Sequence, residues 1–149
     1  MKTFSLLIAA LLITSVAFAD APHSGNKQNH ARKVKIQILR TYFKNIKDGD
    51  TISQEQKVEF GVDGMKIRPA GEDANDKTTG HHHLIIDAGG IPQGQVIVAD
   101  ATHLHFGKGQ TETVVKLAPG EHTLTLQFAD GAHRSYGPQM SATIHVTVK

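Results

Sequence analysis

"HTLTLQFAD", residues 122–130, alternates strictly: Leu124, Leu126 and Phe128 fall on one side of an extended chain and the threonines and Gln127 on the other. A period of two marks a strand with one face in a core. The "APGEH" turn (118–122) links it to an earlier strand, "TETVVKL" (111–117). Downstream, "ATIHVTV" (142–148) repeats the pattern with Ile144, Val146 and Val148 inward.

Reading back toward the N-terminus, "KVKIQIL" (33–39) alternates with Val34, Ile36 and Ile38 on one face, and "KDGD" (47–50) is a turn in which Gly49 can take a positive φ. "QKVEFGV" (56–62) points Val58, Phe60 and Val62 inward until "DGM" (63–65) breaks or bulges it. A polar loop, 69–80, leads to "HHHLIID" (81–87) as a third strand, "QVIVA" (95–99) as a fourth and "HLHF" (103–106) as a short fifth. No window holds a helical period. Short alternating strands between Gly, Pro and Asp turns predict an all-β fold, an immunoglobulin-like β-sandwich of about seven to eight strands.

The first residues, "MKTFSLLIAALLITSVAFA", combine an early lysine, an apolar run and an Ala-x-Ala site, which predicts a signal peptide over 1–19 cleaved before Asp20. A polar leader spans 20–32 and a single domain 33–149. The expected mature protein is periplasmic or secreted, with no membrane span after cleavage. The chain has no cysteine, which excludes disulfides, thiolate metal sites and cysteine nucleophiles. Loss of Lys2 with the signal leaves basic and acidic residues almost equal in number, unlike the strongly basic face of a nucleic-acid binder.

Five of the ten histidines sit in "HHH" and "HLH". Strand parity puts Leu104 and Phe106 in the core, with His103 and His105 side by side on the opposite face, about 7 Å apart at the backbone. In the earlier run it groups His81 and His83 away from Leu84 and Ile86, the expected core residues, and leaves His82 near a strand end where facing is loosely enforced. Two His-x-His pairs make a nitrogen-only site suited to copper or zinc. The candidate ligands are His81, His82, His83, His103 and His105, with His133 as a further one from a loop. The competing reading is a structural or pH-sensitive polar cluster.

His122 and His145 read as solvated, and Glu112 as a surface residue paired with a lysine or a partner orienting a histidine. "GKGQ" (107–110) reads as a hairpin turn, since no P-loop context surrounds it. Copper(II) capture by the mature N-terminus is closed, because Pro22 of "DAPH" has no amide hydrogen. No Gly-x-Ser-x-Gly elbow or His-Glu-x-x-His helix is present, so a binding module is expected rather than an enzyme. A superoxide dismutase-like metalloenzyme is disfavoured by the missing cysteines. The partners left are a metal ion or, with the histidines structural, an exported protein or envelope component.

The combination of "GHHHLIID", "HLHFGKGQTE", "LAPGEHTLTLQFADGAH" and "GPQMSATIHVTV" resembles a family of small exported bacterial domains that carries only a domain-of-unknown-function label. The resemblance runs from about Ile46 to Val148. It implies a shared motif of His81, His82, His83, His105, Phe106, Gly107, Gln110, Thr111 and Glu112, and it implies no activity. This chain departs from the pattern with "THLHF" in place of "HHLHF" and with no second histidine after "AH" at 132–133, so its site is differently composed if those histidines are ligands in relatives.

Overall fold

A computed structural model describes residues 37–149. The expected signal peptide and leader, and Val34 and Ile36 of the expected first strand, lie outside the described residues. Among the described residues are nine strands: β1 Arg40–Phe43, β2 Thr51–Ile52, β3 Glu55–Asp63, β4 Lys66–Ile67, β5 Thr79–Ile86, β6 His103–His105, β7 Glu112–Lys116, β8 Gly120–Ala129 and β9 Ser141–Val148. One 3-10 turn, Pro138–Met140, precedes β9.

The strands form two sheets of a β-sandwich. One is three-stranded and antiparallel, in the order β1-β3-β7; the other runs β2-β9-β8-β5-β4, with β6 also paired to β5. Two short pairings are parallel, β2 with β9 and β4 with β5. The alternating residues meet between the sheets: Val58, Phe60 and Val115 from the first, and Leu84, Leu124, Leu126, Ile144, Val146 and Val148 from the second. Phe106 joins them, and Leu104 and Ile86 pack partly buried against the cluster, as parity requires. Gly49 takes a positive φ of 82° in the expected turn, and Gly64, at 78°, ends β3.

Three expectations fail. The first described strand is Arg40–Phe43, and Ile38 is 65% exposed outside any strand. "QVIVA" is not a strand of either sheet: Ile97 is buried while Val96 and Val98 stay exposed, and only an isolated bridge joins Val96 to Arg134. With Pro92 and Gly94 just before it, this segment crosses the outer face of the larger sheet instead of entering a ladder. "GKGQ" is a turn, with Gly109 at φ 79°, but not a hairpin, because β6 pairs with β5 in one sheet and β7 with β3 in the other.

The strap at 91–97 explains the burial of the outer face. Gly94 N–H donates to the Ser135 carbonyl (2.8 Å), Ser135 N–H to Gln95 (2.8 Å) and Ile97 N–H to His133 (2.9 Å). The Ser135 hydroxyl donates to the Ile91 carbonyl at 2.7 Å, and the Gln127 side-chain oxygen accepts the Ile91 N–H at 3.2 Å. Beneath it Ile85 and Gln127 are buried, as is Ile97 of the strap itself, although all three lie outside the main core cluster. The larger sheet is therefore covered on both faces in this region, and β5 is its most enclosed strand.

Candidate functional site

His81 and His83 project from β5 on the face opposite Leu84, and both are fully buried. Their Nε2 atoms are 3.1 Å apart. Across the ladder His83 is paired in register with His105 of β6, which places the His105 ring 5.0 Å, centroid to centroid, from each of the two. The loop after β8 adds His133, whose Nε2 is 3.2 Å from His105 Nε2. Ring nitrogens of His81, His105 and His133 all lie within 4.8 Å of one another, a grouping that could hold a metal ion.

The two outer rings, His105 and His133, are each set by a local device. A Cβ on Gly107 would overlap the His105 ring, so that ring lies over a residue with no side chain. His133 sits in the left-handed region at φ 64°, a conformation unfavourable for a residue with a Cβ. The buried Asp130 fixes it: its carboxylate accepts the Ala132 and Arg134 N–H groups (2.9 and 3.0 Å), and Lys77 Nζ and Arg134 Nε, both at 2.9 Å. Burial alone would raise this carboxyl, but these donors prevail and hold it at about 2. Gly131 packs its Cα against the 72–74 loop, where a Cβ would come within 2.5 Å of the Glu72 carbonyl.

Electrostatics keep the inner rings neutral. Burial, followed by the neighbouring imidazoles His105 and His133, lowers His81 to about 4, and burial with its histidine neighbours takes His83 to about 2. His105 is lowered too, by burial and then by His133. With both inner rings neutral, the 3.1 Å contact is one hydrogen bond, in which one Nε2–H donates to the other lone pair. The accepting ring must then carry its proton on Nδ1. Among the described residues the Nδ1 atoms of His81 and His83 have no partner, so one buried N–H is unpaired at a cost of about 1–3 kcal/mol.

The other candidates are placed elsewhere. His82 obeys strand parity strictly and turns into the sandwich, 4.9 Å from the Phe128 ring and 5.4 Å from Phe60. Thr41 spends its only hydroxyl proton on the Gly61 carbonyl (3.0 Å), so at the 3.3 Å contact His82 Nδ1–H is the donor to Thr41 Oγ1. That bond ties β5 of one sheet to β1 of the other, and the expectation that His82 is loosely facing fails because both faces of β5 are enclosed. Burial brings its pKa down to about 3. His103 shares the face of His105 but lies outside the three-histidine group; its Nδ1 contacts the Asp100 carboxylate at 3.0 and 3.1 Å.

Among the remaining expectations, Glu112 is a surface residue, 3.0 Å from Lys57 Nζ. His145 is exposed beside Asp48. His122 is not simply solvated: its Nδ1 meets Asp87 at 2.9 Å and its Nε2 the Ala118 carbonyl at 2.9 Å. Asp130 and Gly107 escaped the reading of the sequence as site-builders. The Asp-Gly pair ending a long strand in "ADGAH" was the available signal for the first, since it marks a tight turn that must re-aim the next few side chains.

The chain belongs to the family described as a domain of unknown function, DUF4399, whose model matches residues 58–149. Every clustered histidine lies inside that match. No curated protein matches the chain.

Proposed function

We propose that this protein is an exported metal-binding module that holds one transition-metal ion, zinc or copper, through His81, His105 and His133. The observation that carries the reading is the convergence of ring nitrogens from three separate segments to within 4.8 Å. Ions of this class bind imidazole at about 2.0–2.1 Å, so nitrogens sharing one ion stand about 2.9 Å apart in a square and about 3.3 Å apart in a tetrahedron. The 3.2 Å contact between His105 and His133 lies in that range. Metal ligation requires neutral imidazole, and burial holds His81 and His83 neutral far below pH 7.

Export rests on the signal-like N-terminus, and the oxidising compartment it implies suits a site built without thiolates. The reading is of a binder, not an enzyme. Of the three histidines in the 81–83 run, His82 takes the structural role, on the strength of its bond to Thr41 across the sandwich.

Titration of the untagged protein with zinc(II) and copper(II) at pH 7 tests the proposal. One equivalent should bind tightly in the wild type, and a His105→Ala/His133→Ala variant, which alters only the less buried pair, should lose it while remaining folded. Binding weaker than micromolar, or unaffected in that variant, removes the reading.

A further inference from the structure

The ring positions carry more than the presence of a site; they bear on its geometry and so on its ion. Four imidazoles define six separations. The centroid distances are 4.9 Å for His81–His83, 5.0 Å for His81–His105, 5.1 Å for His81–His133, 5.0 Å for His83–His105, 6.0 Å for His83–His133 and 4.7 Å for His105–His133.

A nitrogen about 2.0–2.1 Å from a metal places its ring centroid about 3.2 Å from that metal. Four such rings at tetrahedral corners stand about 5.2 Å apart on all six edges; in a square plane, four separations are about 4.5 Å and two diagonals about 6.4 Å. A square requires the two long distances to fall on opposite pairs. Here the one long distance, His83–His133 at 6.0 Å, is opposite His81–His105 at 5.0 Å, which is no diagonal. Five separations within 4.7–5.1 Å describe a tetrahedron with one stretched edge.

From this we infer that His83 is the fourth ligand of a tetrahedral, four-histidine site whose ion is zinc(II). The inference rests on the metal-binding reading and adds to it a ligand, a geometry and a metal. His83 lies outside the three-nitrogen group, and its one long separation is the 6.0 Å to His133, so a shift along that edge would bring it in. Its Nε2 already faces His81 Nε2 at 3.1 Å.

Copper(II) binds nitrogen more tightly than zinc(II) wherever the geometry allows, so a protein favours zinc by holding the rings away from a square. Copper(I) tolerates a tetrahedron but is selected by sulfur ligands, and the chain has no cysteine to supply a thiolate beside these four rings. His81 and His83 are fully buried on a strand paired in register with β8, and that enclosure resists the flattening that copper(II) would need.

Three measurements decide it. X-ray absorption of the zinc-loaded wild type should show four nitrogens at about 2.0 Å, and cobalt(II) substituted for zinc should give the intense visible bands of a tetrahedral centre. Elemental analysis of untagged protein isolated from the cells that make it should find stoichiometric zinc. In His83→Ala, zinc affinity should fall about 100-fold or more, since even residues that merely orient a ligand are worth 10–100-fold. Three nitrogens plus water, the pale spectrum of octahedral cobalt, or copper in the isolated protein would overturn the four-histidine zinc assignment and leave the metal-binding reading standing. Failure to bind any of these ions removes both.

Discussion

Lowering the pH from 7 to 5 should destabilise the metal-free protein severely. His81, His82 and His83 are fully buried and stay neutral in the folded state down to about 4, 3 and 2. In the unfolded chain each titrates near 6.5. Below that value the unfolded state takes up protons that the folded state refuses, so each ring lowers stability by about 1.4 kcal/mol per pH unit until its own folded pKa is reached. From pH 7 to 5 this comes to about 1.9 kcal/mol per histidine, or about 5–6 kcal/mol for three, comparable with the whole stability of many domains. Urea unfolding at pH 7, 6 and 5 with a chelator present measures it. A loss under about 2 kcal/mol over that range, the worth of a single ring, would refute the burial of three neutral imidazoles.

His82→Phe should keep the fold and zinc binding, because a flat ring still fills the site between Phe60 and Phe128 and Thr41 still donates to Gly61, while the acid slope falls by one proton; His82→Ala should cost about 2–4 kcal/mol in urea unfolding through the cavity it opens. Gly107→Ala should leave the melting temperature nearly unchanged but weaken zinc at least about tenfold by calorimetry, because the new methyl displaces the His105 ring. His122 has acceptors on both nitrogens and its pKa is raised: burial opposes the charge, but Asp87 and the Ala118 carbonyl prevail and favour the protonated ring. Its contribution should be complete below about pH 6.5 and lost as pH rises through the folded value, a dependence that His122→Gln should abolish and proton NMR of the ring should follow directly.

Much of the sandwich was legible because its core strands alternate. Leu124, Leu126 and Phe128, and Ile144, Val146 and Val148, occupy the positions their period assigns. The same rule placed Leu104 and Phe106 correctly and turned His105 outward. It failed at Ile38 and at "QVIVA", because alternation says that a segment is extended and says nothing of whether a ladder partner is free. His103 was misgrouped for a related reason. Parity fixes the face, but distance along the ladder decides the site, and His103 lies opposite Ile85, two pairs beyond His83 and His105, with Asp100 to satisfy it.

What the period could not reveal is that the outer face of β5 is also an interior. A strand enclosed on both sides ordinarily reads as a continuous run of valine, isoleucine and leucine, and "LII" at 84–86 is the remnant of such a run. Two residues earlier the outer positions hold His83 and His81, where apolar side chains would pack at no electrostatic cost. Instead the protein accepts an unpaired buried N–H and a steep sensitivity to acid. A polar cluster serving stability alone would have its donors satisfied, as the His82 Nδ1–H is by Thr41 and His122 is by Asp87 and the Ala118 carbonyl. In His81 and His83 the Nε2 atoms face each other at 3.1 Å, held in the metal-free chain by one N–H···N bond whose accepting ring leaves its own N–H unpaired. Zinc at the centre would replace one weak imidazole contact with coordination bonds. The thermodynamic consequence is that saturating zinc should restore at pH 6 the stability that acid removes from the metal-free chain, by an amount that grows with free zinc as mass action requires.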